Sequence, residues 1–164
     1  MTPGICDDYF KTIKVHLIKG TKHCRSILIA NDVIIRTEET NPNLLEHVSV
    51  IKCPDSYKSY GDIGINGVIL ANTRQSFDYV TPSQIDLKTI SNYTDKRKLY
   101  FLNGFLSTND SLKISKSAII RVEILQPSNY NDTVNLDNTV LINIWTLTKK
   151  EVRESLRNCR RSYD

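Results

Sequence analysis

Apolar and polar residues alternate over residues 12–18, with Ile13, Val15 and Leu17 on one side and Lys14 and His16 on the other, which predicts a half-buried strand closed by Gly20. Ile27, Leu28, Ile29 and Ala30 form a short apolar run that stops at the turn formers Asn31 and Asp32 and resumes with Val33, Ile34 and Ile35. This predicts a hairpin or a kinked strand. Asn41 is a capping residue just before Pro42, and proline is favoured at the first helical position, so one or two helical turns are expected there. Val48, Val50 and Ile51 predict a strand that stops at Cys53 and Pro54, because proline cannot donate to a ladder. Residues 55–60 predict a further helical turn closed by Gly61, and after a loop over 61–67, Val68, Ile69, Leu70 and Ala71 predict a core strand.

The same order of elements returns 72 to 74 residues later. Residues 99–104 (Leu-Tyr-Phe-Leu-Asn-Gly) answer 27–32, residues 121–126 answer 47–52, and residues 138–142 answer 66–70. Pro54 and Tyr57 are answered by Pro127 and Tyr130. Between the halves, Thr81 caps a stretch in which Ile85, Leu87, Ile90 and Tyr93 are spaced for a helix. At the end of the chain Val152, Leu156 and Cys159 recur at helical spacing among charges, predicting an amphipathic helix over 149–161. The expected architecture is α+β: two tandem β-α-β-β repeats forming mixed sheets with short helices and a C-terminal amphipathic helix. Its segments are an N-terminal strand segment (1–26), repeat 1 (27–75), a linker with a helix (76–98), repeat 2 (99–148) and the C-terminal helix (149–164).

Hydrophobic residues at 40 % and charged residues at 24 % place the chain of 164 residues with folded domains and away from disordered chains. The net charge of +4 is mild. Only Lys149, Lys150, Arg153, Arg157, Arg160 and Arg161 cluster, and Glu151 and Glu154 dilute them, so a solvated helix face is favoured over a polyanion or nucleic-acid site. No run reaches the roughly 18 apolar residues that span a bilayer, and residues 1–8 lack the basic-then-apolar layout of a secretory signal. By that layout alone the protein is cytoplasmic, or its targeting segment has been removed. Cys6, Cys24, Cys53 and Cys159 lie far apart and match no metal spacing with His16, His23 or His47. Two disulfides are permitted by number, but free, partly buried thiols are the expectation.

Against known families, residues 41–74 resemble the second half of the plug domain of bacterial TonB-dependent outer-membrane receptors. The family pattern runs NP-x-D-I-E-S-I-x-V-L-K, then YG-x-x-G-x-N-G-V-I and T-K. This chain supplies Asn41-Pro42, Leu45-Glu46, Val48, Val50-Ile51-Lys52, Tyr60-Gly61, Gly64, Asn66-Gly67-Val68-Ile69 and Thr73-Arg74. The structural-motif residues singled out are Asn41, Pro42, Tyr60, Gly61, Gly64, Asn66, Gly67 and Val68. The chain departs from the pattern at Cys53, where an acidic residue is usual, and lacks Tyr-Gly in the second copy. The remaining length cannot supply a transmembrane barrel, whose strands need about ten residues each, so transport by this chain alone is excluded. The resemblance implies a free-standing, barrel-less plug-like protein of Bacteroidetes type. It would hold no catalytic centre and no cofactor, sit in the periplasm or at the outer membrane, and act by blocking, positioning or binding, with a protein partner in the envelope.

Other chemistry is weaker. The glycines at 61, 64 and 67 lack the Lys-Ser/Thr of a phosphate loop and lead into a strand. None of the three histidines lies by a nucleophile in a known setting such as G-x-S-x-G, and the pairs Asp7-Asp8 and Glu38-Glu39 diverge on either a strand or a helix. No catalytic or metal site is expected. A small histidine-dependent hydrolase and an anionic-surface binder remain the alternatives. Trp145 is expected in the core.

Overall fold

The hairpin follows from its turn. Asn31 and Asp32 both take positive φ (48° and 66°), the geometry whose twist matches that of paired strands, so β1 (Ile27–Ala30) folds back onto β2 (Val33–Ile35). After short 3-10 turns at Thr37–Glu39 and Pro42–Leu44, β3 (Leu45–Ile51) runs to α1 (Asp55–Tyr60). The 3-10 turn Gly61–Gly64 then leads into β4 (Val68–Thr73), which lies parallel to β1 and antiparallel to β3. The structure is a computed structural model that describes residues 13–85, 93–132, 135–157 and 159.

Further along, β6 (Arg97–Leu102) turns at Asn103 and Gly104, again both at positive φ, into β7 (Phe105–Leu106). β9 (Arg121–Leu125) and β10 (Thr139–Trp145) follow, β10 parallel to β6 and antiparallel to β9. β5 (Tyr79–Val80) and β8 (Lys113–Ser115) complete the set. The described chain is α+β, with a six-stranded mixed sheet in the order β3-β4-β1-β2-β8-β5 and a four-stranded one in the order β7-β6-β10-β9.

The four strands β3-β4-β1-β2 and the four strands β9-β10-β6-β7 therefore have the same order and the same senses of pairing. Their registers differ from a single offset in a regular way. Ile27 pairs with Val68 and Leu99 with Leu141, while Ile51 pairs with Val68 and Leu125 with Leu141. Matching Ile27 to Leu99 thus matches Val68 to Leu141, one place beyond the Val140 that sequence similarity selects.

Side chains alternate across a strand, so Ile27 and Ile29 share a face with Val68, Leu70 and Ile51, whereas Leu28 and Ala30 share the other with Ile69, Ala71, Val48 and Val50. The first face enters the main core, where it meets Leu102, Ile142, Ile144 and Val122 of the second sheet. Those four occupy the positions matching Ala30, Ile69, Ala71 and Val48. The two sheets consequently meet through non-equivalent faces. The remaining face of the second sheet, Phe101 and Leu141, is covered by Ile18, Tyr130 and Leu136.

Several expectations are corrected. Residues 13–18 do not make a regular strand: only Leu17 and Ile18 form bridges, to Phe105 and Tyr130. The segment is held instead by scattered bonds, Ile18 N–H to the Gly104 carbonyl (2.8 Å) and Lys19 N–H to that of Asn129 (2.7 Å), which bury Ile18 along with Val15 and Leu17. Thr81 does cap a turn, but it is the 3-10 turn Pro82–Gln84, and Ile85 is already extended. Leu87 and Ile90 lie outside the described residues. The C-terminal helix α2 covers Lys149–Leu156, and Cys159 lies beyond its end. β8, within the stretch assigned to the second copy, joins the first sheet beside β2. Cys24 and Cys159 form a disulfide, so the expectation of free thiols fails for both.

Candidate functional site

The plug-pattern residues cluster where the chain returns from β3 to β4. Asn41 caps the turn Pro42–Leu44 by accepting from Asn43 N–H (3.0 Å), with Pro42 at its first position. Tyr60 ends α1 and packs against the main core, and Gly61 follows at φ 63°. Gly64 is ordinary in φ but lies so close to Ser56 that a Cβ would collide with the Ser56 carbonyl oxygen and sit 2.8 Å from Tyr60 Cβ. Asn66 donates to the His23 carbonyl (3.1 Å) and accepts from Ser26 Oγ at its own carbonyl (2.8 Å). Gly67 takes φ 93° and accepts from Ile27 N–H (3.3 Å), which sets Val68, fully buried, beside Ile27. The segment acts as a wedge that aligns β4 with β1, with Asn66 and Gly67 tied to the 23–27 segment.

Asp62, inside this turn, was not singled out by sequence. It is 7 % exposed, and its Oδ2 lies 3.2 Å from His16 Nδ1, while His16 Nε2 lies 3.3 Å from Asp132 Oδ2. Lys14 closes the cluster with a 2.6 Å bond to Asp132 Oδ1. Burial pushes the Asp62 carboxyl above the usual carboxylate range, opposed by the imidazole beside it. Tyr130, next to His16, is pushed up to about 12 by burial and by Asp132 and Asp62. The cluster ties three distant segments together. An imidazole between two carboxylates can accept, hold and return a proton, so it is the place where a histidine chemistry would reside. The separations of 46 and more than 100 positions between its members explain why no local motif signals it.

The other histidines differ. His23 is 2 % exposed; Nε2 donates to the Asn103 carbonyl (2.6 Å) and Nδ1 accepts from Arg25 N–H (3.3 Å), which defines a neutral ring. Burial lowers its pKa, with the Asn103 bond opposing. His47 is exposed on β3. Trp145 is half-buried, with Arg121 4.4 Å above its ring and its N–H donated to Glu123 (2.8 Å), so it is covered by a charged pair and not sunk in the core. Burial would raise Glu123, but the bonds from Trp145 and Arg121 hold it below the usual range.

A cleft of about 320 Å³ opens between the first sheet and α2, floored by Leu28, Ile35 and Ile69 and rimmed by Arg25, Arg36 and Glu151. Arg36 spans Glu151 with both terminal nitrogens (3.1 and 3.3 Å) and donates to the Thr146 carbonyl. Lys149, Lys150, Arg153 and Arg157 are exposed on and just beyond α2, and Lys150 lies 3.8 Å from Glu154, while Arg160 and Arg161 are outside the described residues. Among the described residues no group of three or more His, Cys, Asp or Glu is arranged to hold a metal ion, and no helix is long and apolar enough to cross a membrane. No protein-family model, curated protein or solved structure matches the chain.

Proposed function

We propose that this chain is a non-catalytic, plug-like binding or accessory module of the bacterial cell envelope, built from two tandem copies of one four-stranded unit. The observation that carries the reading is a clasp made at equivalent places in both units. In the first, Asn31 Oδ1 accepts from Thr73 N–H (3.1 Å); in the second, Asn103 Oδ1 accepts from Thr146 N–H (2.8 Å). The hairpin asparagine thus locks the end of the parallel partner strand twice, at offsets of 72 and 73 residues, a feature that apolar strand composition alone does not produce. The plug-pattern residues all lie on the return half of the first unit. Their polar atoms serve the scaffold, as expected of a module that acts by presenting surface.

The Cys24–Cys159 disulfide supports the envelope placement, since such bonds persist in oxidising compartments and are rare in the cytosol. In the source cell the protein should partition with the envelope and its Cys24–Cys159 pair should resist maleimide until reduced. Recovery in the cytosol with both thiols reactive would remove the placement. The His16 cluster is the one observation that favours a hydrolase instead. Ester, peptide and glycoside substrates should show no turnover above buffer; turnover that vanishes in His16→Asn would replace the binding reading with the catalytic one.

A further inference from the structure

β3 is the outer strand of the six-stranded sheet, and among the described residues it pairs on one side only, with β4. It carries the two most exposed large hydrophobics of the described chain, Val48 at 51 % and Val50 at 59 %. The matching strand of the second sheet, β9, is half-buried along its length; its Val122 packs against the main core, and Arg121 and Glu123 pair at 3.1 Å. Sheet edges are ordinarily blunted by charge, proline or shortness, because their unpaired N–H and C=O groups accept another strand. β9 follows that rule, whereas the centre of β3, Val48-Ser49-Val50, is uncharged and both of its valines are exposed.

The register of β3 picks out one partner. A bulge between Leu45 and His47 interrupts its pairing and the strand ends at Ile51, so the regular part is 47–51, with Ser49 at its midpoint. Antiparallel pairing of this segment with itself about Ser49 sets Val48 against Val50 and His47 against Ile51 of the second copy. One step outside, Glu46 meets Lys52 of the second copy at both ends, and both side chains are exposed. Moving the axis to Val48 sets Glu46 against valine, and moving it to Val50 sets Lys52 against valine. Only the Ser49 axis matches apolar to apolar and acid to base. The valines also adjoin Ile69, which pairs with Val50 across β3 and β4, so the joined sheets share a continuous apolar strip on that face.

We propose that β3 pairs antiparallel with β3 of a second copy of this chain, joining the two six-stranded sheets across a twofold axis through Ser49. The pairing goes beyond the binding-module reading and does not depend on the cell compartment. One strand pair is a small interface, so a dissociation constant on the order of 10–100 µM is expected.

Sedimentation velocity of the purified full chain over about 1–500 µM should show monomer converting to dimer, less readily in high salt. Val50→Lys should leave only monomer at an unchanged melting temperature, since the position is exposed. Lys52→Glu should weaken the dimer about tenfold, by turning two attractions into two repulsions. Glu46→Lys combined with Lys52→Glu should restore it, because the swap preserves the pairing only in this register; Glu46 also lies 3.7 Å from Arg74 of its own chain, so the double variant is the deciding one. Protein that stays monomeric at the highest concentration overturns the proposal. So does a dimer that survives Val50→Lys, or a double variant no tighter than Lys52→Glu alone.

Discussion

Asn103 is 3 % exposed and uses both ends of its amide on Thr146, donating to the hydroxyl and accepting from the backbone N–H. Asn103→Ala strands that buried N–H, and should cost about 1–3 kcal/mol in chemical denaturation, with Asn31→Ala acting in the same direction at its more exposed copy of the clasp. Asn103 was legible as a turn former from its neighbour Gly104. Its clasp was not, because the partner threonine lies 43 positions away. His23 makes a prediction in pH. Its folded pKa lies below the ordinary 6.5, so the unfolded chain takes up the proton first. The stability it contributes is complete above 6.5 and is lost as pH falls through the lower folded value. Melting temperature should therefore drop between pH 7.5 and 5.5, and His23→Gln should flatten that slope. Asp62, whose pKa is raised above the ordinary 3.8, acts in the opposite sense, its contribution fading as pH rises. The comparison of His23→Gln with the parent separates the two.

At the scale of elements, the turn into β4 is where local sequence and structure agree best, although its glycines act for different reasons. Gly61 and Gly67 hold positive φ, which the Tyr-Gly and Asn-Gly pairs imply. Gly64 is needed for space against Ser56, a contact that depends on how α1 closes over the turn. Gly67→Val should destabilise by more than about 1 kcal/mol and Gly64→Val by more than about 2 kcal/mol in thermal unfolding. A parent-like melting temperature for Gly67→Val would show that the turn is not the constraint it is taken to be. Ser107 is a poor neutral reference for these changes, because it is half-buried with an Oγ that has no hydrogen-bond partner. Exposed Thr108 is the better one, and Thr108→Val should stay within about 0.5 kcal/mol.

For the whole molecule, the disulfide joins positions 135 residues apart and ties the end of the chain to the segment before β1. Closing so long a loop restricts the unfolded chain, so replacing Cys24 and Cys159 by serine should cost about 2–5 kcal/mol, and reductant should lower the melting temperature of the parent but not of the variant. Equal unfolding with and without reductant would show that the bond contributes little. The same scale governs the sheets. β8 leaves the second half of the chain to pair with β2 of the first, so one strand from that half extends the first sheet while the two sheets share a core.

Neighbours in the chain made several features legible: the turns at Asn31-Asp32 and Asn103-Gly104, the cap at Asn41, the glycine turn, and a cap at Thr81, although Thr81 opens a 3-10 turn and not the helix expected there. Alternation showed that each strand has two faces. It could not show which face would be covered, because the two units pack through non-equivalent sides and the same pattern is half-buried in β9, with Val122 against the core, and exposed at Val48 and Val50 in β3. Tertiary structure alone decided that His16 would meet Asp62 and Asp132, that His23 would be sealed neutral against Asn103, and that Cys24 would find Cys159. Each depends on contacts between segments distant in the chain, whose geometry exists only once the sheets have formed and packed.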